Sequence, residues 1–281
     1  MYTTILVPVD GSKLSERALS LAIPLAEEHG ARLLLVQVHE PVLPLTFGGG
    51  VPVVDTALDA SHRTELRTAF EKLVARSQKL TTARVEGQFR DGRVVATLLD
   101  AIKEHGAGLV VMSTHGRGGF QRFWLGSVTD ALVRHTPVPV LLVRGARPPA
   151  KRLSGTPAFT RAVVPLDGSP RAERAVEAAR GLFGRAHARL HLVHVVHPMT
   201  AVAAANVKRD AEKESTEAYL APLAARTATP TLEVRWESRT SGNVARTLLE
   251  SAEQHDADVI VIAWQGLSGV QRLLVGSVAD K

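Results

Sequence analysis

The sequence predicts an α/β protein made of two tandem, open, doubly wound parallel sheets. Each sheet has five strands with helices on both faces, and the second repeat lacks its last strand. Three observations carry this prediction. The 281 residues come close to two domains at roughly 150 residues each. A set of motifs occurs twice in the same order. Within each copy, short β-branched runs alternate with longer helical patterns, as in parallel sheets covered on both faces.

The repeat begins at Ile5-Leu6-Val7-Pro8-Val9-Asp10-Gly11-Ser12, which returns as Ala162-Val163-Val164-Pro165-Leu166-Asp167-Gly168-Ser169, 157 positions later. Leu34 to Val38 returns at the same displacement as His191 to Val195. Ala96 to Asp100 matches Arg246 to Glu250, and Gln121 to Val128 matches Gln271 to Val278, both now displaced by 150. A first domain over 1–144 and a second over 161–281 follow. Between them, 145–160 carries Pro148, Pro149, Pro157, Gly145 and Gly155, as expected of an exposed linker. Lys281 aligns with Ala131, so the counterpart of Leu132 to Val143 is missing from the second repeat.

In the first repeat, strands are expected near 3–9, 32–38, 84–90, 108–113 and 138–143. Between them, Leu14, Ala18, Leu21, Ala22 and Leu25 mark one helical face. Leu66, Phe70, Leu73 and Val74 mark a second, and Val94, Val95, Leu98, Leu99 and Ile102 a third. Right-handed crossovers then favour an open doubly wound sheet.

Composition narrows the function. Apolar residues are 45% and charged residues 22% of the chain, which argues against disorder. The absence of cysteine removes disulfides, zinc fingers, iron–sulfur clusters and thiol catalysis. The apolar run Ile5 to Val9 is too short for a signal peptide, and nowhere do eighteen apolar residues run together. A cytoplasmic protein without a membrane span is expected. The net charge is +6 and the pI near 10.0. The basic residues are scattered, however, and the few aromatics form no stacking platform with them. A small anionic ligand therefore accounts for the bias at least as well as nucleic acid, which is not expected.

In such a sheet, ligands bind beyond the carboxyl ends of the strands, where the winding reverses. One loop there is Pro8-Val9-Asp10-Gly11-Ser12. The other runs from Met112-Ser113-Thr114-His115-Gly116 to Gly126-Ser127. Its glycines allow close backbone approach to an anion, and Gly126-Ser127-Val128-Thr129 opens a helix whose amino end favours negative charge. A tight turn at Gly116 and an N-cap at Ser127 explain the same residues without a ligand. Asp10 is placed either to accept from an adenine amino group or ribose hydroxyl, or to close an Asx-turn.

No G-x4-G-K-[ST] loop, G-x-G-x-x-G fingerprint or G-x-S-x-G elbow is present. His187, His191, His194 and His197 cluster in sequence. His191 and His194 stand at odd separation on a predicted strand and so face opposite sides. With no cysteine or acid beside them in sequence, no metal site is expected.

The Val-Pro-Val-Asp-Gly-Ser opening and the Gly-x9-Gly-Ser signature together resemble the universal stress proteins, here as a tandem pair across nearly the whole chain. The resemblance implies a five-stranded Rossmann-like sheet and, in one subgroup, ATP binding at Gly-x2-Gly-x9-Gly-Ser/Thr. Here Ser113 stands at the first glycine, while Gly116, Gly126 and Ser127 match. In the second repeat Ala263 stands there, and Gly266, Gly276 and Ser277 match.

By that resemblance Pro8, Val9, Asp10 and Val38 hold the adenine end of ATP, bound with or without Mg2+. Met112, Ser113, His115 and Gly116 line the ribose and phosphates. Gly126, Ser127, Val128 and Thr129 meet the phosphates. Asp167, Val195, Gly266, Gly276 and Ser277 are the second-repeat counterparts, where Gln265 replaces His115 and Ala279 replaces Thr129.

The expected function is a stress-response protein that binds ATP or a related adenine nucleotide and acts as a ligand-dependent switch or partner-binding module. Two alternatives stand beside it: a slow ATPase in the same pocket with His115 assisting, and a scaffold that has lost the nucleotide. The resemblance also implies a homodimer that pairs strands 138–143, and an unknown protein partner.

Overall fold

The computed structural model describes residues 2–41, 56–114, 126–143, 158–184, 187–196 and 208–263. The chain divides into two compact units, Met1–Thr156 and Pro157–Lys281.

The first unit runs β1 (Thr4–Val9), a 3-10 turn (Ser15–Ala18), α1 (Leu19–His29), β2 (Arg32–His39), α2 (Thr56–Gln78), β3 (Val85–Asp91), α3 (Val94–Glu104), β4 (Leu109–Ser113), α4 (Ser127–His135) and β5 (Val140–Val143). All pairings are parallel, in the order β3-β2-β1-β4-β5. Each expected strand is present within two residues of its expected ends. The largest difference is at β5, which starts at Val140 because Pro139 has no N–H to give the ladder and only accepts, from Val110 N at 3.0 Å.

Ile5, Leu6 and Val7 are all fully buried. Consecutive residues on a strand point to opposite faces, so both faces of β1 are covered. On one face Leu6, Leu34, Val36, Val110 and Met112 pack with Leu98, Ala101 and Ile102 of α3 and Leu132 of α4. α1 and α2 pack on the strands as well. There Gly87 is required, since a Cβ at that position would overlap Val74 and stand 3.2 Å from the Phe70 ring. α1 stops at Gly30, whose left-handed φ of 63° lets its N–H reach back to Ala26 and Glu27 carbonyls.

The second unit repeats the plan with β6 (Arg161–Leu166), α5 (Pro170–Leu182), β7 (Ala188–Val196), α6 (Lys208–Thr227), β8 (Leu232–Thr240), α7 (Val244–Gln254) and β9 (Val259–Ile260). Among the described residues its sheet has four strands, in the order β8-β7-β6-β9. Residues 158–160 belong to this unit and not to an exposed linker. Ala158 and Phe159 are buried, and Thr160 donates its N–H to Asp258 at 2.8 Å. An aromatic side chain next to an apolar sheet is driven inward whatever the proline content upstream.

Candidate functional site

The strand order places the winding reversal of the first unit between β1 and β4, which are direct neighbours. From β1 the chain winds outward through β2 and β3. From β4 it winds the other way to β5. The loops after β1 and β4 therefore flank one crevice.

The loop after β1 is fixed by its own hydrogen bonds. Asp10 accepts from Ser12 N at 2.9 Å in an Asx-turn, and Gly11 supplies the positive φ of 78° that the turn needs. Ser15 N donates to Ser12 Oγ at 3.1 Å, and Ser15 Oγ donates to Ser12 O at 2.9 Å. Asp10 N in turn donates to Ser15 Oγ at 3.3 Å. The Asx-turn reading of Asp10 is thus present in the structure. The turn engages Asp10 Oδ1. Pro8 lies opposite Val36 in the ladder, and Val9 is buried.

The loop after β4 is anchored at both ends. Gly126 N donates to Thr114 O at 3.2 Å, and Thr129 Oγ1 donates to Ser113 O at 3.5 Å. The N-cap of α4 is Gly126, with no side-chain cap. Ser127 is the first helical residue, so the capping role allowed for it is not what it does. A glycine cap offers no side chain of its own to the first-turn N–H groups of α4, the arrangement that favours anions. Thr129 is buried, and its hydroxyl ties α4 to β4.

Met112 is buried in the apolar layer under α3 and α4, and Val38 and Val128 pack against that layer. Ser113 ends β4 and is buried. His115 and Gly116 lie outside the described residues.

In the second unit Asp167 closes the same turn, accepting from Ser169 N at 2.9 Å, with Gly168 at φ 81°. Burial opposes its charge, but the hydrogen bonds from the Ser169 side chain and N–H outweigh it and hold the carboxyl below its ordinary range. Ser169 also caps α5 through Ala172 N at 3.1 Å. Val195 packs beside Val163, Val193 and Leu248, as Val38 does in the first unit. Gly266, Gly276 and Ser277 lie outside the described residues.

Two clusters were not found from the sequence. At the end of β2, buried His39 stands 3.3 Å from both Asp59 and Asp91. Arg63 holds Asp91 with bonds of 2.6 and 2.5 Å, which keep its carboxyl below the ordinary range. In the second unit His191 meets Glu237 and His255. An acid does therefore accompany His191. It comes from the neighbouring strand, where sequence proximity to the histidine run gives no sign of it. Any apolar, inward-facing strand position that carries histidine is the signal that was available.

The Universal stress protein family profile matches residues 1–144 and again 158–281. A universal stress protein of Mycolicibacterium smegmatis is 30% identical over 285 residues, covering 99% of this chain and 92% of its own length. A universal stress protein of Thermus aquaticus, encoded in the QAH/OAS sulfhydrylase 3' region, is 38% identical over 145 residues, 51% of this chain and all of its own. A solved universal stress protein from Archaeoglobus fulgidus shares the fold, with a TM-score of 0.64 at 20% identity, over 92% of this chain and 85% of that one. With both repeats matched and a full-length relative, the chain belongs to the universal stress protein family, in tandem form.

Proposed function

We propose that the first unit binds ATP, supplied as its magnesium complex, in the crevice between β1 and β4, and that the protein works in the cytoplasm as a nucleotide-dependent switch. The glycine-capped amino end of α4, held beside the carboxyl end of β4, is the observation that carries this reading. It offers backbone N–H groups to phosphate oxygens. Asp10, Val9 and Val38 flank the adenine end, and Ser113, His115, Gly116, Ser127 and Thr129 belong to the ribose–phosphate side. Nucleotide then bridges the two loops and shifts the population towards an ordered crevice. The equivalent turn at Asp167 makes a second, weaker site in the second unit.

Calorimetric titration with magnesium ATP is expected to show a saturable site that Asp10→Ala weakens tenfold or more, about 1.4 kcal/mol. Amides of residues 9–12 and 126–130 should gain protection from hydrogen exchange in the same complex. Absence of heat at several temperatures, together with unchanged exchange, would overturn the proposal.

The chain is further proposed to dimerise through β5. Among the described residues this strand is at the sheet edge with β4 as its one neighbour, and Val140, Leu142 and Val143 are only partly buried. A parallel edge with apolar side chains is a template for pairing. Light scattering should give about twice the 30.1 kDa chain mass, and a monomer at high concentration would refute it. No helix among the described residues is long and apolar enough to cross a membrane.

A further inference from the structure

The two units offer an internal comparison, residue by residue. Leu34 lies opposite Leu6 in the first sheet, and His191 lies opposite Val163 in the second. Gln88 lies opposite Val36, and Glu237 opposite Val193. His105 and His255 are both the residue that ends the following helix. Where the first unit has Leu34, Gln88 and His105, the second thus has His191, Glu237 and His255. In the first unit Gln88 Nε2 stands 2.6 Å from His105 Nε2, and Leu34 is plain core. Both differences in the second unit replace a group that binds metals poorly with one that binds them well.

The three side chains converge. His191 Nε2 is 3.6 Å and His255 Nε2 3.7 Å from the same oxygen, Glu237 Oε1. The two imidazoles stack, with centroids 3.6 Å apart. One donor atom from each residue lies within 4.8 Å of the others. His191 is only 5% exposed, and among the described residues neither of its ring nitrogens has a hydrogen-bond partner; nor has His255 Nε2. Buried nitrogens without partners are costly, and a bound cation removes that cost. Tetrahedral zinc with bonds of about 2.0–2.1 Å needs donors roughly 3.3–3.5 Å apart, so modest ring rotations close the site.

We propose that His191, Glu237 and His255 form a site for a divalent transition metal of the zinc class in the second unit, its fourth position open to water or a further ligand. Two imidazoles with one carboxylate suit zinc, cobalt or nickel and not magnesium or calcium, which take oxygen donors. Ser251 Oγ, at 2.7 Å, and Arg239 Nε, at 2.9 Å, contact the same Glu237 Oε1 that faces the imidazoles and fix the orientation of the carboxylate. Arg239 both opposes a nearby cation and competes for Oε1, so the carboxylate ligates through Oε2 or after Arg239 swings away, and affinity is limited accordingly. The metal would clip β7, β8 and the end of α7 together, independently of the nucleotide crevice.

The test is titration of the full chain, stripped with EDTA, with zinc chloride by calorimetry and with cobalt chloride by visible absorption, both without nucleotide. One saturable site per chain and the visible bands of low-coordinate cobalt are expected. His191→Leu, which installs the first unit's own residue, and Glu237→Gln should each weaken binding at least tenfold. His187→Ala, at an exposed position on the same strand's approach, should leave it unchanged. No saturable binding, or binding equal to the parent chain in a folded variant of either ligand, would overturn the site. If His191→Leu fails to fold, Glu237→Gln and His255→Gln decide.

Discussion

Leu6→Ala is expected to cost the first unit about 2–5 kcal/mol of folding free energy. Leu6 is fully buried at the centre of the sheet, where it touches the layer formed by Leu34, Val110, Leu98 and Leu132. Removing its side chain loses the transfer free energy of the buried methyls and leaves a cavity. Helices α3 and α4 cannot refill that cavity, because their own contacts with β2 and β4 hold them in place. Urea unfolding followed by probes in each unit separately will read the effect. Leu80→Ala, at a position 65% exposed, should change stability by less than about 0.5 kcal/mol. A cost below about 1 kcal/mol for Leu6→Ala would mean that the α3–α4 layer repacks freely.

The second large effect is acid sensitivity of the second unit in metal-free protein. Burial, with the charge of His255 as the next cause, lowers the His191 pKa from 6.5 to about 4. The unfolded chain then binds a proton between these values that the folded unit refuses. Stability is accordingly full above about 6.5 and falls as the pH drops towards about 4. The ceiling is roughly 3 kcal/mol, from about 1.4 kcal/mol per pKa unit. Glu237 acts in the same direction. Burial raises its pKa, but Ser251 and Arg239 outweigh this and hold it below the ordinary range, so the stability it contributes is also lost on protonation in acid. His191→Leu should flatten the slope between pH 6.5 and 4. An equally steep slope in that variant would place the acid sensitivity elsewhere.

The strands were legible because their physics is local. Five apolar residues in a row at Ile5 to Val9 have no better place than a strand covered on both faces, and repetition of the pattern gave the sheet its partners. α2 was less so: only Phe70 and Leu73 of its expected face are deeply buried, and a helix that is largely exposed has weak sequence limits. At the crevice, the sequence left open whether Asp10 closes a turn, and the structure shows that it does. Ser127 looked like a cap because serine is a good one; the glycine before it took that position instead. The trio of His191, Glu237 and His255 was illegible for a different reason. Its members come from two strands and a helix end, brought together by a ladder register that no spacing along the chain displays.

The hydrogen bond from Gly126 N to Thr114 O joins the two ends of segment 115–125. The fold, and not the segment, therefore bears the entropy of loop closure. With the ends fixed, lengthening the segment costs little, about 0.6 kcal/mol for each doubling. β4 and α4 thus keep their relative placement through contacts that lie outside that segment, Gly126 with Thr114 and Thr129 with Ser113.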